Sequence, residues 1–225
     1  MAVEGIDGSG KQTQVRLLAQ TLTTQGHRVF VTGFPQYDSW FGQMVGQFLN
    51  GDFGPIDALS PHLTALLYAG DRFERKGPIL AALDRGDIVI ADRYIASNLA
   101  HQTARSTPDQ RDEFIAWIEH LEYNIYGLPK EDLVLYLRVP PRQAHSLVAK
   151  KSARSYTGAG HDILEADLSH LQQAMEIYDL LAKRSNWRTI DCYDAATQAV
   201  RTPEDIAALV LAAVTPAVSS LQEHR

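Results

Sequence analysis

The sequence predicts an α/β domain: a parallel five-stranded sheet with helices on both faces. Three observations carry that expectation. Short strand-like segments alternate with helical patterns along the 225 residues, the order that builds parallel sheets. A glycine-rich turn, Gly5 to Gly10, lies between the first strand and the first helix. The run Leu133-Val134-Leu135-Tyr136-Leu137 is apolar at successive positions, as a central strand buried on both faces must be. A hydrophobic content of 45% suffices for one sizeable core without metal or disulfide. There is no internal repeat and no Pro/Ser-rich linker, so a single domain over residues 1–215 is expected, with a loose tail at 216–225.

Taken in order, Ala2-Val3-Glu4 is a short first strand, and a helix starts at about Lys11 with Val15, Leu17, Leu18 and Leu22 as its apolar positions. Gly26 suits a helix C-cap. The second strand is Arg28–Thr32, followed by helices near Ser39–Leu49 and Pro61–Arg75. The latter should break before Pro78, because the residue ahead of a proline leaves the helical region. A compact helix, Ile79–Asp84, leads to a strand at Ile88–Ala91 that delivers Asp92-Arg93-Tyr94 at its carboxyl end. Helical patterns at Ile95–Ala104 and Pro108–Tyr123 precede the strand Leu133–Leu137. Pro140 and Pro141 open another helix, the polar stretch Lys150–Gly160 follows, and a long helix spans about Asp162–Lys183. A last strand at Arg188–Asp191 and a helix from Pro203 to about Val214 close the domain.

Charge and composition exclude some function classes. A formal net charge of −6 argues against bulk nucleic-acid binding, which needs a basic face, but leaves small anionic ligands open. No apolar run reaches membrane-span length. The single cysteine, Cys192, has no intrachain partner and reads as a small buried hydrophobe. With no export signal visible, a cytoplasmic location is expected. The histidines show no metal-ligand spacing.

The segment Glu4-Gly5-Ile6-Asp7-Gly8-Ser9-Gly10-Lys11-Gln12-Thr13 fits G-x-x-x-x-G-K, a phosphate-binding loop, with Gln12 where Ser or Thr is usual. Strand before and helix after are the right setting: loop N–H groups and a helix N-terminus converge on a phosphate, and Lys11 can reach the β- and γ-phosphates. Gly5, Gly8 and Gly10 permit positive φ and close backbone approach. The hydroxyl missing at position 12 would have ligated magnesium. Thr13 is no simple substitute, because one helical residue turns a side chain by about 100°.

EGIDGSGK with Thr13-Gln14, then Phe34-Pro35-Gln36-Tyr37, then Asp92-Arg93-Tyr94-Ile95-Ala96-Ser97-Asn98 together resemble thymidylate kinases. The Phe-Pro-x-Tyr form is closer to the human and mycobacterial branches, and the likeness runs from Glu4 to about Trp187. The resemblance implies the P-loop NTPase-type fold with a short basic lid at about 150–161. It also implies transfer of the γ-phosphoryl of Mg-ATP to dTMP, and a homodimer. ATP would bind at Gly5, Ile6, Asp7, Gly8, Ser9, Gly10, Lys11, Gln12 and Thr13.

Residue by residue, the resemblance makes Lys11, Asp92, Arg93 and Arg154 the catalytic set. Asp92, with Asp7, would attend magnesium; Asp7 also lies near the acceptor, and Arg93 would grip the acceptor phosphate in fork geometry. Tyr68 and Arg72, four apart on one helical face, would stack on the thymine ring and bond its O4, with Asn98 on N3. Phe34 and Tyr37 would wall the pocket, although Phe34 and Tyr68 also suit the core, and Arg72 the surface. His101 stands where mycobacterial members carry a tyrosine near the sugar C2′. Lys150, Lys151 and Arg154 would form the cationic lid, a needed role because Ile6 to Gly10 contains no arginine. Asp162 and Glu165 match an acidic pair near the sugar and lid, and equally form a helix-capping pattern. Mycobacterial members also lack a hydroxyl after the loop lysine, which implies magnesium held through Asp92, waters and the nucleotide.

Two other readings stay open on sequence: a deoxynucleoside kinase, whose members carry Glu-Arg-Ser where this chain has Asp92-Arg93-Tyr94, and a nucleotide-binding regulatory module, suggested by Gln12 and the short first strand.

Overall fold

The structure, a computed structural model, describes residues 1–149 and 168–223. One sheet of five parallel strands runs in the order β2-β3-β1-β4-β5. Its strands are β1 (Ala2–Glu4), β2 (Val29–Gly33), β3 (Ile88–Asp92), β4 (Val134–Arg138) and β5 (Trp187–Asp191). Although β1 has only three residues, it is the central strand, paired to β3 and β4. Ala2, Val3 and Glu4 are all wholly buried. Chain connections leave β1 and its neighbour β4 toward opposite edges, and such a switch opens a crevice above the carboxyl ends of the strands.

On one face α1 (Lys11–Thr24) packs on β2 and β3 and against α9 (Pro203–Glu223), which covers β5. Elsewhere α4 (Lys76–Asp84) packs on β3, and α5 (Ile95–Thr103) lies between α3 (Pro61–Glu74) and α8 (Leu168–Leu181). Every residue of α5 is buried. Glu4 and Tyr136 are register partners across β1 and β4, and both meet Tyr178 of α8. Tyr136 stacks on it with ring centroids 5.2 Å apart, and Glu4 accepts its hydroxyl at 3.0 Å. The remaining helices are α2 (Trp40–Asn50), α6 (Arg111–Glu119) and α7 (Pro141–Ala149).

Strand and helix order agree with the sequence reading, and the differences have physical causes. Gly26 does follow α1 with φ 88°, one residue beyond the cap at Gln25. The break between α3 and α4 falls at Arg75, and Pro78 sits in the first turn of α4, where its missing N–H leaves no bond unmade. The helix expected over Pro108–Tyr123 is three pieces: a 3-10 turn at Pro108–Gln110, α6, and a π turn at His120–Ile125. A two-residue hairpin, β6 (Tyr193–Asp194) with β7 (Ala199–Val200), is too short to leave a pattern. The expected loose tail is corrected over residues 216–223: α9 continues past Val214, through Pro216, to Glu223. Val210, Val214 and Val218 recur every four residues and are buried, so core packing carries the helix past its proline.

Candidate active site

The loop after β1 is shaped by contacts that only glycine allows. Gly8 has φ 83°, and a Cβ there would lie 2.1 Å from the Ala144 carbonyl oxygen of α7. At Gly5, φ is 142°, and a Cβ would sit 2.6 Å from the Leu137 carbonyl. Gly10 caps α1, whose Gln14 N–H donates to the Gly10 carbonyl at 3.1 Å. Ile6 is buried and anchors the loop. Lys11 curls over it, donating from Nζ to the Gly5 and Ile6 carbonyls, both at 2.9 Å. Burial, and then the charge of Arg93, pulls the Lys11 ammonium down to about 8.

Arg93 joins this loop to the end of β3. It is a non-glycine residue with φ 65°, a costly backbone region that occurs mostly where the surroundings enforce it. Here Arg93 N–H donates to Val3 and Tyr94 N–H to Glu4 Oε1 at 2.7 Å, which fixes the backbone on both sides of the residue. The guanidinium pairs with Asp7 and donates from Nη1 to Ser97 Oγ at 3.1 Å and to the Gly5 carbonyl at 3.3 Å. Burial works against its charge, but its neighbours, Asp7 foremost, outweigh burial and raise its pKa. Glu4 is the hub beneath, with Oε2 accepting from Ser97 Oγ at 2.6 Å as well as from Tyr178.

Beside the loop, a cleft of about 640 Å³ opens between α1 and the ends of β2 and β3, lined by Gln12, Thr13, Arg16, Thr32, Gln36 and Asp92 among others. Asp92 forms no ion pair or side-chain hydrogen bond among the described residues. An oxygen donor of this kind at a strand end fits magnesium, which takes one or two carboxylates together with waters and substrate phosphates. No cluster of three or more metal-ligating side chains occurs among the described residues. Asp7, by contrast, is committed to Arg93. Gln36 forms one side of this cleft; its N–H reaches both oxygens of Asp71 at 3.1 Å, and burial raises the Asp71 pKa.

Behind Arg93 the structure brings Arg72 and Asn98 together. Arg72 is buried, contrary to a surface role, and forks onto Glu122: Nε to Oε2 at 2.5 Å and Nη2 to Oε1 at 2.6 Å. Burial opposes the Arg72 charge, and Glu122 more than offsets it, raising the pKa. Asn98 Nδ2 donates to Glu122 Oε1 at 2.8 Å and to the Ala65 carbonyl at 3.0 Å. Phe34 sits in the main core, its ring 6.0 Å from Tyr94. Tyr37 and Tyr68 border a separate small cluster of Val45, Phe48 and Leu49, with Tyr68 edge-on to Phe48. His101 is buried against His170, Nδ1 to Nε2 at 3.3 Å, and burial, then Arg93, depresses its pKa so that it stays neutral. The expected lid residues Lys150, Lys151 and Arg154, and the acids Asp162 and Glu165, lie outside the described residues.

Glu122, Tyr178 and His170 escaped sequence reading. Glu122 stands among the polar residues Glu119, His120 and Asn124, and neither a lone acid there nor a lone tyrosine or histidine on an amphipathic helix carries a mark. The only available signal was Glu4, the acid that opens the loop motif at the end of a buried strand.

A family model for thymidylate kinase matches residues 3–202. The thymidylate kinase of Mycobacterium tuberculosis (strain ATCC 25618 / H37Rv) is 32% identical over 183 residues, covering 81% of this chain and 85% of that relative. A probable thymidylate kinase of Pyrobaculum aerophilum is 35% identical over 210 residues, 92% of each chain. Among solved structures, a thymidylate kinase from Candida albicans shares the fold, with a TM-score of 0.73 at 20% identity over 96% of this chain and 90% of that one.

Proposed function

The chain belongs to the thymidylate kinase family, and from that premise we propose how its residues move the γ-phosphoryl group of ATP to dTMP. The enzyme is an ATP-dependent nucleoside monophosphate kinase that yields dTDP and ADP. The family match does not favour a deoxynucleoside kinase or a regulatory module.

An oxygen of the dTMP phosphate attacks the γ-phosphorus, the bond to the β,γ-bridging oxygen breaks, and ADP leaves. The attacking oxygen is already anionic, so no general base and no covalent intermediate are needed. The protein's task is to align two polyanions and cancel their repulsion. Lys11 and the N-terminus of α1 hold the β- and γ-phosphates. Arg93, oriented by Asp7 and Ser97, holds the acceptor phosphate in line. Magnesium, when bound, neutralises charge on the ATP phosphates, and Asp92 is the residue that would hold it through water. By family likeness Lys150, Lys151 and Arg154 would supply the lid charge, and Asp162 and Glu165 the acidic pair; all five lie outside the described residues. Arg72 and Asn98 read the base, with Tyr68 stacked on it, Phe34 and Tyr37 walling the pocket and His101 beside the sugar.

The observation that carries this reading is the Asp7–Arg93 pair, which ties the phosphate loop to the end of β3. Exposed apolar side chains on α2, α3 and the π turn, Trp40 at 63%, Leu63 at 62% and Ile125 at 63%, support a homodimer. No helix among the described residues is long and apolar enough to cross a membrane. Buried, unpaired Cys192 suits a reducing cytoplasm. The test is ADP release with a panel of acceptors. dTMP should be best, dUMP weaker, and CMP, AMP and thymidine poor; a preference for thymidine or CMP over dTMP would overturn the reading.

A further inference from the structure

Among the described residues, every hydrogen bond of the Glu122 carboxylate goes to one of the two proposed base-reading side chains. It is wholly buried in the π turn His120–Ile125, a helix variant that recurs at functional sites. Its oxygens take Nε and Nη2 of Arg72, and Oε1 also takes Nδ2 of Asn98 at 2.8 Å. The second Nδ2 hydrogen of Asn98 goes to the Ala65 carbonyl at 3.0 Å. Carboxylate and carbonyl are acceptors only, so the Asn98 amide has one permitted orientation. Its Oδ1 is left buried and without a partner among the described residues. Arg72, with Nε and Nη2 committed, keeps its Nη1 donors outside the fork.

We propose that Glu122 is a positioning residue for base selection: it fixes a donor, Arg72 Nη1, and an acceptor, Asn98 Oδ1, as the complement of the thymine edge. Thymine offers an acceptor at O4 and a donor at N3–H. Cytosine offers the reverse, an amine at C4 and a bare N3, so donor would face donor and acceptor would face acceptor. Mismatched buried polar groups are what reject a near-isostere most strongly. Glu122 does this without touching the substrate. The proposal rests on the reading of Arg72 and Asn98 as base contacts given above.

The competing account is that Glu122 only neutralises buried Arg72. The two separate in the ratio of kcat/KM for dTMP to that for dCMP, because the fraction of folded enzyme cancels from it. Glu122→Gln, in which an amide donor must face Arg72 or Asn98 and release the latter's orientation, should lower the ratio at least about tenfold. The KM for dTMP should rise while kcat and the KM for ATP stay within about threefold. Glu122→Asp keeps the charge that sustains the fold but shortens the reach, and should move the ratio the same way. Arg72→Lys, which retains a cation for Glu122 but loses the fork, is the reference. If it lowers the ratio and both Glu122 variants keep the wild-type value, even with a lowered Tm, the positioning role is overturned. An unchanged ratio in Arg72→Lys would instead remove the base-reading role of Arg72, and the present proposal with it.

Discussion

At the proposed phosphate end of the site the groups come from consecutive residues, Gly5 to Gln12, and from Asp92 and Arg93 at the neighbouring strand end. At the proposed base end they are side chains from α3, α5 and a π turn, with Asn98 and Arg72 respectively 24 and 50 residues from Glu122 in sequence. Local backbone rules shape the first region: positive φ at glycine, a helix N-terminus, a strand that stops. Tertiary packing shapes the second, where a buried charge must find its partner or not be buried at all. On these proposed roles transfer and selection should be separable, and each prediction below tests that separation.

The largest effect should come from Lys11→Ala, which removes the cation from the phosphate loop. Turnover in the ADP-release assay should fall by about 10³ or more. Next comes Arg72→Lys, with a loss of about 10² in kcat/KM for dTMP and little change in the KM for ATP. If the KM values of both substrates rose together, the two ends would not be independent.

Legibility in the sequence follows the same division. The loop, the strand order and the Asp92-Arg93 pair are readable because their geometry is set by neighbours in sequence. The αL conformation of Arg93 is not, since it is imposed by Val3 and Glu4 from another strand. Arg72 and Asn98 are legible through family likeness alone, and Glu122 is not legible: helical spacing puts it on the buried face of Phe114, Ile115, Ile118 and Leu121, but a lone acid there gives no sign of its partners, which lie 24 and 50 residues away. The continuation of α9 past Val214 is not legible either: Pro216 is a poor interior helix residue, and it is the burial of Val214 and Val218 that holds the helix there.

The pH dependence sharpens the comparison with an effect of intermediate size. Lys11 titrates at about 8, down from 10.5, because of burial and then Arg93. In the ATP-free enzyme it is therefore protonated below about 8 and neutral above, and phosphates favour the protonated form. Since kcat/KM for ATP reports the free enzyme, it should decline above pH 8, approaching tenfold per unit. dTMP affinity measured without ATP should hold level over the same range, and a parallel decline would tie the two ends together.

The smallest effect is expected at Gln12. It lines the cleft beside Asp92, and on the proposal that Asp92 and the nucleotide hold magnesium, a hydroxyl there would add little. Gln12→Thr should change kcat/KM by less than about tenfold, roughly 1.4 kcal/mol. A magnesium titration of both proteins checks this, and rescue of an inactive parent by orders of magnitude would show a loop that had lost its metal chemistry.

The separation of transfer from selection is tested most directly by calorimetric titration of dTMP and dCMP into Lys11→Ala and Arg72→Lys without ATP. Lys11→Ala, though nearly inactive, should bind dTMP within about threefold of the parent and keep its preference over dCMP, a tenfold loss being 1.4 kcal/mol. Arg72→Lys should lose most of that preference. Equal loss of dTMP binding and of preference in both variants would contradict the account.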